Sequence, residues 1–134
     1  MRTLKTAMLL LLFYSSYSLA SYSLEHDWSC GHCDSYNDNL MRGTYNFHFS
    51  TNGYMHTYIE FYADSACRIK TGNKHIAASG TYRIKNISEA EDFTSYEIEV
   101  KYNHISQVII YHATVKQDSM ILCEDNACEV YKKI

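Results

Sequence analysis

The chain has 134 residues, 13 of them tyrosine and none proline, a length that fits one domain. Without Arg2 and Lys5, which belong to an expected leader, 10 basic residues stand against 15 acidic ones, a net charge of −5. That excludes the basic face a nucleic-acid partner requires, and no later apolar run approaches the ~20 residues of a membrane-spanning helix.

Residues 1–20 read as a signal peptide. Arg2 and Lys5 supply the positive end, Ala7 to Phe13 is an unbroken apolar run, and Ser18-Leu19-Ala20 places small residues at the cut. Export predicts a secreted or periplasmic protein. Residues 21–42 then form an N-terminal segment carrying Cys30 and Cys33, and a β-barrel domain is expected over 43–134.

Gly43 to Cys67 reads as one long hairpin. Tyr45, Phe47 and Phe49 alternate with polar residues, and so do Met55, Thr57, Ile59 and Phe61 on the return. Such alternation marks strands with one buried face, and Asn52-Gly53 is a hairpin signal. A two-residue turn would set the apolar positions of the two strands on opposite faces. A three-residue loop, Thr51-Asn52-Gly53, opposes Phe49 to Met55, Phe47 to Thr57 and Tyr45 to Ile59. It also places His48 across from His56 on the other face.

Further strands are expected over Lys74 to Lys85, with Gly80 as a bend, and over Ser95 to Tyr102. Ser88 to Asp92 reads as an acidic loop or a single helical turn. Gln107 to Val115, apolar on both faces at Val108 to Ile110, reads as a central strand. Met120 to Cys123 and Cys128 to Tyr131 form a last hairpin around Glu124 to Ala127. The expected fold is all-β: a small antiparallel barrel or sandwich of seven or eight strands, stapled by disulfides.

Five cysteines, Cys30, Cys33, Cys67, Cys123 and Cys128, leave one over when paired. Cys123 and Cys128 face each other across the last hairpin, and Cys67 is expected to bridge back to Cys30 or Cys33. The remaining thiol of that pair would favour a disulfide-linked homodimer. The alternative, Cys30 to Cys33, leaves Cys67 free. Trp28-Ser29-Cys30-Gly31-His32-Cys33 resembles the Cys-Gly-His-Cys site of protein disulfide isomerases. However, too few residues precede Cys30 for that fold, and its cis-proline has no counterpart here. A zinc site from Cys30, Cys33, Cys123 and Cys128, or with His26 and His32, is the competing chemistry. His48 and His56 could hold a metal beside Glu60 or Tyr58, against the simpler reading of two solvated histidines. No metal or cofactor is expected. Neither a nucleophile elbow, a phosphate loop nor a His-Glu-x-x-His motif occurs, so no catalytic residue is assigned. Asn86-Ile87-Ser88 matches a glycosylation acceptor.

The order of cysteines before the first strand, Gly43-Thr44-Tyr45, the Asn52-Gly53 hairpin, Phe61 to Cys67 and Gly80-Thr81-Tyr82 resembles the lipocalin-like barrel domains of small exported proteins. It is also similar to the domain of the secreted adenomatosis polyposis coli down-regulated family. The likeness covers residues 28–84, with Gly43-Thr44-Tyr45 standing where lipocalins have Gly-x-Trp. It implies an antiparallel barrel and a binding role without catalysis. The expected ligand is a small apolar molecule in a hollow lined by Tyr45, Phe47, Phe49, Met55, Ile59 and Phe61, or an extracellular protein partner. Two other functions compete. One is a secreted enzyme inhibitor acting through the closed loop Glu124 to Ala127. The other is a thiol-disulfide protein using Cys30 and Cys33.

Overall fold

The structure is a computed structural model that describes residues 22–36 and 41–134; the expected leader lies outside the described residues. Nine strands and no helix are present among the described residues. They are β1 (Asp27–Ser29), β2 (Asp34–Tyr36), β3 (Met41–Phe49), β4 (Tyr54–Tyr62), β5 (Lys70–Glu89), β6 (Thr94–Tyr102), β7 (Ile109–Val115), β8 (Ser119–Glu124) and β9 (Ala127–Lys133). The strands β3 to β9 pair antiparallel in succession. The short strand β1 pairs with both β9 and β3 and so closes an eight-stranded barrel. The ninth strand, β2, lies along β3 beyond β1, against Met41 to Gly43. The N-terminal segment is therefore one interrupted strand along β3, and it supplies the eighth stave.

The β3–β4 register follows from the alternation. Phe49 pairs with Met55, Phe47 with Thr57, Tyr45 with Ile59 and His48 with His56. The loop is Thr51-Asn52-Gly53, and Gly53 has a φ of +84°, a left-handed conformation that glycine adopts at little cost. The inward residues build a packed core. Trp28, Ile98, Val100 and Met120 are fully buried, and Phe49, Met55, Ala113 and Val115 nearly so. Trp28 sits in the closing strand, and its indole Nε1–H donates to the Leu24 carbonyl at 2.9 Å.

Three elements differ from expectation. The strand β5 runs on through Ser88 and Glu89, which were expected in a loop. A bulge between Ile84 and Asn86 lets it stay paired with β6 as far as Glu89–Thr94, and the turn is Ala90 to Phe93. The seventh strand starts at Ile109, and Val108 is exposed. It is not buried on both faces, because every barrel strand has one outer face; Tyr111, Ala113 and Val115 point inward. The last hairpin turns on two residues rather than four, since Glu124 pairs with Ala127.

The disulfides are Cys33–Cys67 and Cys123–Cys128, and Cys30 is a free thiol. The alternative Cys30–Cys33 bridge is not formed: Cys33 is held beside the β4–β5 loop and bonds to Cys67 there. Two bridges mark an oxidising compartment. Gly80 makes the corner where β5 passes from β4 to β6. A Cβ there would lie 2.2 Å from the Lys101 carbonyl oxygen, so only glycine fits.

Candidate functional site: a tyrosine-lined barrel mouth

Where β3 begins and β8 turns into β9, the barrel end is walled by tyrosines. A cavity of about 210 Å³ is bounded by Tyr45, Phe47, Tyr111, Leu122 and Tyr131, with Glu124 and Glu129 at its rim. Phe47 forms its floor, packed edge-to-face on Tyr131 at 5.3 Å, on Tyr45 at 5.8 Å and on Tyr111 at 6.3 Å. Such contacts fix ring positions while leaving the phenol ends free for polar partners. The Tyr102 and Tyr111 hydroxyls meet at 3.1 Å inside the wall.

Beside it, a second depression of about 340 Å³ is lined by Tyr36, Ile59, Phe61 and His75. Tyr36 comes from β2 and packs edge-on against Phe61 at 6.2 Å. Gly43 makes room for this packing. A Cβ there would lie 2.7 Å from Ile59 Cγ2 and 3.3 Å from Tyr36 Cδ2. Because Tyr45 and Ile59 are Cα partners, the two depressions are neighbours.

Burial raises the Tyr36, Tyr102, Tyr111 and Tyr131 phenols above their ordinary pKa. For Tyr102, the hydrogen bond with Tyr111 adds to this. The phenols are therefore neutral donors and acceptors at physiological pH. The charged groups lining the mouth are Glu124 and Glu129, so it disfavours an anion. It can offer flat apolar faces and hydroxyls to an uncharged or cationic molecule.

The six expected ligand residues do not line one hollow. Tyr45 and Phe47 belong to the mouth, and Ile59 and Phe61 to the neighbouring depression. Phe49 and Met55 lie in the solid core with Trp28. Tyr111 of β7 and Tyr131 of β9 meet Phe47 of β3 only through barrel closure, and no short-range pattern in the chain announces it. The free Cys30 is half-buried against the core, and its backbone N–H donates to the Tyr45 carbonyl at 3.1 Å.

On the outer face lies a polar cluster. His48 Nδ1 is hydrogen-bonded to Asp27 Oδ1, and the Tyr58 hydroxyl donates to Asp27 Oδ2 at 2.9 Å. The His48 and His56 rings are 4.8 Å apart. Burial alone would raise the Asp27 carboxyl, but these two hydrogen bonds, together with the nearby His48 and Lys74, hold the group below its usual range. Burial, then the neighbouring His48, lowers the His56 pKa. Glu60 is engaged by Lys70 at 3.5 Å and Lys74 at 3.6 Å. Among the described residues no group of three or more His, Cys, Asp or Glu is arranged to hold a metal. This applies to the cysteine-rich zinc reading as well, since four of the five cysteines are bridged. The Asn86 amide donates to Glu97.

No family model, curated protein or solved structure matches the chain. The protein is defined by its architecture: a closed eight-stranded antiparallel barrel with one added strand and two disulfides.

Proposed function

We propose that this is a secreted or periplasmic, lipocalin-like binding module without catalytic activity. It takes a small, largely apolar, uncharged or cationic molecule at the tyrosine-lined mouth. The supporting observation is the mouth itself, where Tyr45, Phe47, Tyr111 and Tyr131 converge over a cavity with an acidic rim. The packed core beneath limits the ligand to the barrel end, so a planar ring system suits it better than a long chain threaded through the axis. The fold alone would not carry this reading, since barrels of this kind serve many functions. In the same reading, Cys30 at the barrel end provides the thiol for a disulfide-linked homodimer in part of the population.

Titration with the neutral probe N-phenyl-1-naphthylamine tests the site. Saturable fluorescence enhancement is expected. Tyr45→Ala should weaken it about tenfold or more, the ~1.4 kcal/mol or more that an anchoring aromatic contributes. Unsaturable or unchanged binding in that variant would remove the mouth from the account.

A second reading, inhibition of an enzyme or capture of an extracellular protein, draws on the hairpin tip. Residues 124 to 127 are all exposed, and Cys123–Cys128 closes them with a Cα separation of 4.0 Å. A rigid protruding turn loses little entropy on docking.

A further inference from the structure

We infer that His48 and His56 together bind one divalent transition-metal ion, copper(II) or zinc(II), on the outer face of the barrel. The two residues are Cα partners on β3 and β4, so their side chains leave the same face side by side. Their ring centroids are 4.8 Å apart. Two imidazoles sharing one ion at metal–nitrogen distances of ~2.0–2.1 Å, with an angle between square and tetrahedral, have centroids roughly 4.5–5.2 Å apart. The observed centroid separation falls within that range, with the ring planes 33° apart.

His48 carries a second mark of a ligand. Its Nδ1 is tied to the Asp27 carboxylate, which leaves Nε2 outside that bond. Metal-binding histidines are generally held in this way by a carboxylate on the other ring nitrogen, which fixes tautomer and orientation. Asp27 is itself fixed twice, by the Tyr58 hydroxyl and by its place opposite His48 across β1 and β3. Asp27, His48 and His56 therefore form one row across three adjacent strands. Asp27 is a positioning residue, and the two histidines are the ligands. Solvent fills the remaining coordination positions. Imidazole donors select copper or zinc over calcium or magnesium, which prefer oxygen. The His48 side chain is 36% exposed, so an ion can reach it.

The test is isothermal titration of the disulfide-intact protein with copper(II) and, separately, zinc(II). A Cys30→Ser background removes the free thiol as a competing ligand. One ion per chain is expected for copper, zinc or both, with a copper paramagnetic resonance spectrum reporting two nitrogen ligands. His56→Gln should weaken binding at least tenfold and leave one nitrogen. Asp27→Asn should keep two nitrogens but weaken binding by about 10- to 100-fold. Exchange of the distant, exposed His112 for alanine should change nothing. If His48→Gln and His56→Gln both bind within twofold of the parent, or if the two-nitrogen spectrum survives the double variant, the inference is wrong. Circular dichroism of each variant confirms that the fold is intact, and His48→Ala replaces any glutamine variant that does not fold.

Discussion

Tyr102 and Tyr111 join their hydroxyls in the wall of the mouth, and burial raises both phenols, as it does Tyr131 and Tyr58. A phenol whose folded pKa is raised keeps its proton after the unfolded chain has lost it. Its contribution to stability is complete below about pH 10 and is lost as pH rises toward the folded value. Titration by tyrosinate absorbance should therefore show two classes. One class ionises with the fold intact, and the wall phenols ionise only as the barrel unfolds. A single step for all tyrosines with the fold intact would contradict the burial described. At the same scale, iodoacetamide under native conditions should label Cys30 alone, and peptide mapping reads this out directly. Labelling at Cys67 would mean that the bridges are paired differently. His48 facing His56 is legible from sequence, because register follows from alternation and loop length. Phe47 and Tyr131 are not legible as partners, because β3 and β9 come together only when β1 closes the sheet.

Among the elements, the two disulfides act on loops of different length. Cys33–Cys67 spans 34 positions and Cys123–Cys128 spans 5. By chain entropy the first contributes roughly 4 kcal/mol and the second roughly 2 kcal/mol. Urea unfolding of Cys33→Ala/Cys67→Ala should show the larger loss, and Cys123→Ala/Cys128→Ala the smaller. The reverse order would mean that the β8–β9 hairpin, not the tie between the N-terminal segment and the β4–β5 loop, holds the barrel together. The long hairpin β3–β4 is readable because nine-residue strands show several alternations. The strands β1 and β2 have three residues each, too few for any periodicity. The extent of β5 is hidden by its bulge between Ile84 and Asn86, which breaks the period-2 alternation, and by the exposure of Ile84 and Ile87.

For the whole molecule, β1 is the seam. Three residues join β3 to β9, and Trp28 plugs the interior behind them. Composition and strand spacing restrict the fold to a barrel or a sandwich. The choice between them depends on this short strand, whose pairing is non-local. Because the core is filled by Trp28, Phe47, Phe49 and Met55, the proposed ligand site is the mouth rather than the axis. The direct measurement is native mass spectrometry of the protein purified from its own source, compared with the Tyr45→Ala variant. A 1:1 complex with a small uncharged or cationic organic molecule is expected, held by the parent and lost from the variant. A parent mass equal to the polypeptide with two disulfides and no organic adduct, unchanged when the neutral probe is supplied, would contradict it.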